Sequence, residues 1–275
     1  DATVHALTTV STGGFANYDS SFGGFVGAKE YAASFFMILA ALPFVRYVQM
    51  INGNTTAIWR DTQVHAFLGT IAVIVGVSAF TLTYIFPHSV ERAVREALFN
   101  VVSVMSGTGF SSVDYMAWGP FLISIFFFAG LIGGCAGSTA CSVKIFRYQI
   151  LFSSIRAQLR KTRSPHGIFT PRYDGRPVDA DVLGSVMSFF VFFVVSLGLL
   201  SVALGMTGLD FVTSLSGAAT ALANIGPGLG DTIGPAGNFG PLNDTAKWLL
   251  AGGMLVGRLE LMVVYAIVTV QFWRA

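Results

Sequence analysis

The sequence predicts an all-α integral membrane protein built from span–pore loop–span repeats, and three observations predict it. Of the 275 residues, 53% are hydrophobic and only 11% charged, with a mean hydropathy of +0.68. A soluble domain carries about 25% charged residues, so this chain could not cover itself with a polar surface and lipid must solvate much of it. Apolar stretches of about 20 residues, the length that crosses a hydrocarbon core, recur along it. Between them lie short stretches too polar or too short to cross, each followed by a glycine-rich turn.

Five spans are expected. Residues 31–51 are apolar apart from Arg46 and Gln49 near one end, and residues 66–86 are uncharged throughout. No charge lies between Asp114 and Lys144, nor between Asp181 and Asp210. Residues 248–273 are apolar except for Arg258 and Glu260. The short stretches are 1–10, 91–105 and 210–224. Non-helical backbone at membrane depth is tolerated only where protein buries it or it lines a water-filled cavity, so a short helix plus glycines between two spans reads as a re-entrant pore loop. The chain then divides into a pore loop and inner span (1–62), a complete unit whose inner span is interrupted (63–162), a basic, proline-containing cytoplasmic linker (163–180) and a final complete unit (181–275). Arg46, Arg60, Arg156, Arg160, Lys161, Arg163, Arg172 and Arg176 fall on one side, and Asp19, Glu30, Asp114, Asp231 and Asp244 mostly on the other. The excess of Lys and Arg in cytoplasmic loops puts the basic side inside and opens all three pore loops outward.

Several function classes drop out. A net charge of +2 without basic–aromatic interleaving does not suit nucleic acid. Two cysteines inside an apolar segment, Cys135 and Cys141, are no disulfide framework. His5, His65, His88 and His166 lack metal-ligand spacing, and no HExxH is present. The GPGLG run at 226–230 lacks the Lys-Ser/Thr of a phosphate loop. A membrane-embedded enzyme or a pure assembly subunit is a remote alternative. No secretory signal opens the chain, which starts at Asp1 and reads as a fragment of a longer protein.

The loops repeat. VSTGGFANYD (10–19) and MSGTGFSSVD (105–114) align without gaps at an offset of 95, and NIGPGL (224–229) is aligned to them on Gly228. This selects Ser11, Thr12, Gly13 and Gly14, then Ser106, Gly107, Thr108 and Gly109, then Asn224, Ile225, Gly226, Pro227 and Gly228 as an ion-binding filter. A cation crossing a membrane loses its water, and backbone carbonyls aimed at an axis replace it. Glycine lets the backbone turn a carbonyl inward without steric cost. The short helix before each loop aims its partly negative C-terminus at the ion, and Asp19, Asp114 and Asp231 outside would concentrate cations.

TTVSTGGF (8–15), SVMSGTGF (103–110), ANIGPGLG (223–230), GGCAGSTACSVK (133–144) and GRLE (257–260), in this order, give the chain a resemblance to the Trk/Ktr/HKT superfamily of cation transporters, and to the bacterial Trk membrane subunit in particular. The resemblance implies four span–loop–span units around a pseudo-fourfold cation pore, of which the first unit and the outer span of the second are missing here. It implies a multi-pass potassium channel or transporter in the bacterial inner membrane, with K+ as the ion carried and no organic cofactor. It also implies a homodimer in membrane lipid and a cytoplasmic regulatory subunit that binds nucleotides. Sodium-permeable members of the superfamily place serine at a glycine position of the first filter, so a sodium-coupled or sodium-permeable transporter is the alternative.

Residues 130–144 interrupt a span with small residues. They either permit close helix packing or break the helix beneath the filter, since Gly133, Gly134, Gly137, Ser138 and Thr139 have low helix propensity and spare hydrogen-bonding groups. In the resembling family this stretch is an intramembrane gating loop. Lys144 then either snorkels to the interface or holds the loop in one state. Arg258 and Glu260 lie inside the last span, where an arginine at mid-helix costs roughly 2.5–3.5 kcal/mol on insertion scales. They either form structural salt bridges or, as the resemblance implies for Arg258, set an electrostatic barrier in the pore.

Overall fold

The structure, a computed structural model, describes every residue except 87, 260, 271 and 275. Its architecture is helical. The three short stretches are helices as expected: α1 (Ala2–Val10), α5 (Val90–Ser106) and α9 (Phe211–Ala223). The longest, α5, has 17 residues, about 25 Å at 1.5 Å per residue and less than a hydrocarbon core of about 30 Å. Local signals fix their ends. Ser89 accepts a hydrogen bond from the Arg92 amide at the start of α5, and Asp210 accepts from the Val212 and Thr213 amides at the start of α9. At the far ends Gly107 and Asn224 turn left-handed and stop the helices.

The remaining helices are α2 (Ala28–Ala40), α3 (Phe44–Ile51), α4 (Thr62–Tyr84), α6 (Gly119–Leu131), α7 (Ile145–Arg163), α8 (Ala180–Gly205), α10 (Asp244–Arg258) and α11 (Leu261–Val268). Only α4 and α8 are unbroken helices long and apolar enough to cross a membrane among the described residues. The expected continuous spans over 31–51 and 248–273 are therefore corrected, while the span over 114–144 is interrupted where the sequence breaks its apolar run. Helices α2 and α3 meet at 87°, because Pro43 cannot donate an amide to the turn before it and disfavours helix in the residue it follows. Helix α6 stops at Leu131, and the chain closes a loop in which Ile132 and Gly133 pair in parallel with Val143 and Lys144. Helix α10 stops at Arg258, so this arginine ends a helix rather than lying inside one. Glu260 lies outside the described residues.

Two further elements lie between the loop and α8. Residues 145–163 form α7, whose polar, basic sequence hides it from a search for apolar spans. Beyond it Arg172–Tyr173 and Arg176–Pro177 pair as a small hairpin. Its turn uses Asp174 and Gly175 at φ +50 and +77, the left-handed pair that suits a two-residue hairpin turn.

Packing places α5 and α9 at the centre. Helix α5 lies against α4 on one side and α2 on the other, and α9 lies against α8, α10 and α6. Nearly every residue of α9 is buried, whereas α4 and α8 expose Val73, Phe80, Val191, Val194 and Leu199, apolar faces that lipid suits. One ionic anchor is buried with α5. Glu30, at the start of α2 and fully buried, accepts from the Gly27 amide at 2.8 Å and from the Arg95 guanidinium, which also reaches Glu91 at 2.9 Å.

Candidate functional site

The three segments that follow α1, α5 and α9 share one backbone pattern. The amides of Gly13, Thr108 and Ile225 donate to the carbonyls of Thr8, Ser103 and Thr220, at 2.8, 3.0 and 3.1 Å. Each segment then holds a left-handed residue at its helix end (Thr12, Gly107, Asn224) and a second positive φ two residues on, at Gly14, Gly109 and Gly226. This register places Gly226, not Gly228, opposite Gly14 and Gly109. Gly228 instead donates its amide to the Ile233 carbonyl at 2.7 Å, and φ is not positive there. The expected alignment on Gly228 matched glycine with glycine, but the backbone matches conformation with conformation.

The segments also interlock. A Cβ added to Gly14 would stand 1.7 Å from the Thr108 carbonyl oxygen, and one added to Gly109 would stand 2.0 Å from that of Ile225. Each glycine thus leaves the space that the next segment's carbonyl fills, and Thr108 and Ile225 are equivalent positions in the repeat. The hydroxyls of Thr8 and Ser103 donate to the carbonyls of Phe15 and Phe110 at 3.0 and 2.6 Å, and Thr220 Oγ1 accepts from the Gly226 amide at 3.0 Å. These three hydroxyls pin the strands to their helices.

A cavity of about 790 Å³ runs past all three segments. Every expected filter residue lines it except Ser106 and Gly228. Ser106 lies behind, fully buried, with its hydroxyl on Thr108 Oγ1 at 2.8 Å. Of the expected outer carboxylates only Asp19 reaches this cavity. Asp114 caps the turn Tyr115–Trp118 by accepting from the Met116 amide, and Asp231 is not among the lining residues. At the other end of the cavity stands Arg258.

The 132–144 loop lies next to these segments. Thr12 Oγ1 donates to the Thr139 carbonyl at 3.0 Å, and further anchors come from the broken end of α2, from α3 and from α4. The carbonyls of Ala40 and Ala41 have no next helical turn to serve. Ala40 accepts from the Thr139 amide and hydroxyl at 3.3 and 3.1 Å, and Ala41 accepts from the Cys135 amide at 3.0 Å. The Phe44 amide, the first of α3, donates to Gly137 at 3.0 Å. Gln63 Oε1 accepts from the Ala136 amide at 2.9 Å. Gly133 sits so close to the Cys141 carbonyl that a Cβ would approach it to 2.1 Å, which is why no larger residue fits the parallel pairing. These contacts bring Gly133, Gly134, Gly137, Ser138 and Thr139 together as one folded loop and not as a helix-packing stripe.

A second cavity, of about 220 Å³, is lined by Ser138, Thr139, Lys144, Arg147 and Arg258 among others. Arg258 therefore borders both cavities, and its guanidinium donates to Cys141 Sγ. No carboxylate pairs with it among the described residues. Lys144 pairs with Gly133 through its backbone, and its side chain faces this cavity. Arg147, which the sequence reading passed over, stacks on Phe189 at 3.9 Å and adds a third cationic side chain here. Its position three residues after Lys144 was the available signal. The reading also missed Thr8, Ser103 and Thr220, although the first two stand at the same 95-residue offset as the glycines.

Comparison with known proteins agrees with this geometry. Residues 1–272 match the TrkH family, described as a cation transport protein. The Trk system potassium uptake protein TrkI of Halomonas elongata is 45% identical over the whole chain, which covers 56% of that protein. The Trk system potassium uptake protein TrkH of Vibrio parahaemolyticus is 32% identical, with 100% of this chain and 57% of that protein covered. The crystal structure of the potassium transporter TrkH from Vibrio parahaemolyticus superposes with a TM-score of 0.92 at 30% identity, over 99% of this chain and 59% of that one. The chain thus spans somewhat more than half the length of these relatives. They are transporters rather than enzymes, which leaves the membrane-enzyme alternative without support. The chain belongs to the TrkH family of cation transport proteins.

Proposed function

We propose that this chain is part of the pore-forming subunit of a potassium uptake system, and that it conducts K+ along the carbonyls of its three interlocked segments. The observation that carries the reading is the interlock: equivalent carbonyls, at Thr108 and Ile225, project into spaces that only glycine leaves open. Such carbonyls can replace the hydration shell of a cation. The C-terminal ends of α1, α5 and α9 converge on the same segments and add partial negative charge there. Residues 1–62, 63–162 and 181–275 serve as successive units of the pore and 163–180 as a cytoplasmic connection.

The loop at 132–144 is the gate in this reading, and Arg258 is the barrier. Lys144, Arg147 and Arg258 give the second cavity a positive lining that opposes cation exit until the loop and its charges rearrange. The names of the relatives support potassium as the ion carried. The family resemblance supports placement in the bacterial inner membrane, a homodimer in lipid and a nucleotide-binding regulatory subunit on the cytoplasmic side.

The test is ion flux through the full-length protein in liposomes under imposed K+ or Na+ gradients. Selective K+ flux is expected. Equal Na+ flux would move the assignment to the sodium-permeable alternative, and absence of both from correctly inserted protein would overturn it.

A further inference from the structure

We propose that the Thr12 hydroxyl is a latch that ties the closed 132–144 loop to the first filter segment and lets go when the loop opens. The proposal rests on the reading of these segments as filter and gate.

The first observation is the residue type. Thr12 occupies the left-handed position that ends the helix, at φ +50. In the other two segments that position holds Gly107 and Asn224, the residue types that adopt this conformation readily. A β-branched side chain there is an outlier, and strained positions of this kind persist where the surroundings hold them and gather at functional sites. Thr12 is 4% exposed, so water does not explain its hydroxyl.

The second observation is what the hydroxyl touches. Its oxygen lies 2.8 Å from the Ser11 carbonyl and 3.0 Å from the Thr139 carbonyl. A hydroxyl has one proton to donate. It serves Thr139 while the loop is shut and falls back on Ser11 when the loop leaves, so release strands no buried donor. Thr139 is held from its other side by the Ala40 carbonyl, and it is thus clamped between the filter and the broken end of α2.

The third observation is asymmetry. Gly107 has no side chain, and its backbone merely abuts Cys141. Asn224 Nδ2 donates to the Met254 carbonyl of α10 at 3.1 Å and not to the loop. Among the three described segments only the first carries a side-chain bond from its left-handed position to the loop.

The experiment compares basal K+ flux and the K+/Na+ permeability ratio in the full-length protein for wild type, Thr12→Val, Thr12→Ser and a deletion of residues 133–139. Valine keeps the branched shape and removes the donor. Thr12→Val is expected to raise basal flux about two- to tenfold, the equilibrium weight of one neutral hydrogen bond. Thr12→Ser, which keeps the donor, should restore the wild-type level. In the deletion background Thr12→Val should add nothing, because the latch has lost its partner. Should the valine variant not insert, Thr12→Ala removes the same donor and carries the same expectation. If the deletion raises flux while Thr12→Val and Thr12→Ala leave it at wild type, the latch is wrong and the gate stands. If Thr12→Val alters the permeability ratio alone, the hydroxyl belongs to the filter and the latch is wrong. If the deletion itself does not raise flux, the gate reading falls and the latch with it.

Discussion

Replacing Gly109 by alanine should reduce K+ flux sharply while leaving the fold intact. The new Cβ would stand 2.0 Å from the Ile225 carbonyl oxygen and 3.0 Å from its carbon. Carbon atoms in ordinary contact lie about 3.5–4.0 Å apart, so the oxygen must retreat by about 1 Å or the Gly109 strand must twist away. The backbone at φ +82 resists as well, since a side chain in left-handed conformation costs roughly 1–2 kcal/mol. Either relaxation moves a carbonyl that must face the ion. If about 1–2 kcal/mol appears as weaker coordination, flux falls roughly 5- to 30-fold. The assay is flux per correctly inserted full-length molecule, with Gly69→Ala on α4 as control, where nothing lies within 4 Å of the added atom. Gly228→Ala supplies a contrast. Its nearest obstacle is the Ile233 side chain, at 2.4 Å, so Ile233→Ala should suppress it, whereas no side-chain truncation should rescue Gly109→Ala. Wild-type flux and selectivity in Gly109→Ala would refute the assignment of the interlocked carbonyls to the ion path.

Arg258→Ala should raise flux, because a permanently charged guanidinium at the junction of the two cavities is removed; a clear fall with normal insertion would exclude the barrier. Arg95→Met should destabilise the protein by roughly 3–5 kcal/mol, because it strands the fully buried Glu30 carboxylate. Adding Glu30→Gln should recover much of that loss in thermal unfolding, and an additive double variant would show that the pair is not coupled. The Thr213 hydroxyl, with the Thr213 and Val212 amides, holds the Asp210 carboxyl below its ordinary range. Its contribution is full above the unfolded carboxylate value of about 3.9 and is lost as pH falls through the lower folded value. Asp210→Ala should therefore cost about 1 kcal/mol at neutral pH and flatten the acid limb of the stability curve; an unchanged acid limb would refute the cap.

Two of the three short helices, α5 and α9, were legible because each pairs a capping residue with a sharp stop: Ser89 with Gly107, and Asp210 with Asn224. The glycine repeat was legible at the 95-residue offset, where residue identity and backbone conformation coincide. It failed in the third copy because asparagine replaces glycine at the left-handed position, so identity pointed to Gly228 while conformation pointed to Gly226. The loop was legible as a break in apolar character, but its anchors were not. They are the carbonyls of Ala40 and Ala41, which any residue type would supply, and they are free only because Pro43 ends a helix that hydropathy reads as continuous. Helix α7 escaped for the opposite reason: a search for apolar length discards a helix whose outer half carries Arg156, Arg160, Lys161 and Arg163.

The interlock between segments shifts where a substitution does its harm. A side chain at Gly14 injures the segment that carries Thr108, and one at Gly109 injures the segment that carries Ile225. Each glycine is thus kept for its neighbour's benefit as well as for its own strand's. Units joined this way cannot diverge one at a time, since a change tolerated within one unit is judged by the geometry of the next. Duplicated units that began alike would be free to differ in their caps, linkers and outer helices, as these do, while the spaces they leave for one another stay fixed. Transplanting a single loop from a relative should accordingly fail more often than exchanging two adjacent loops together.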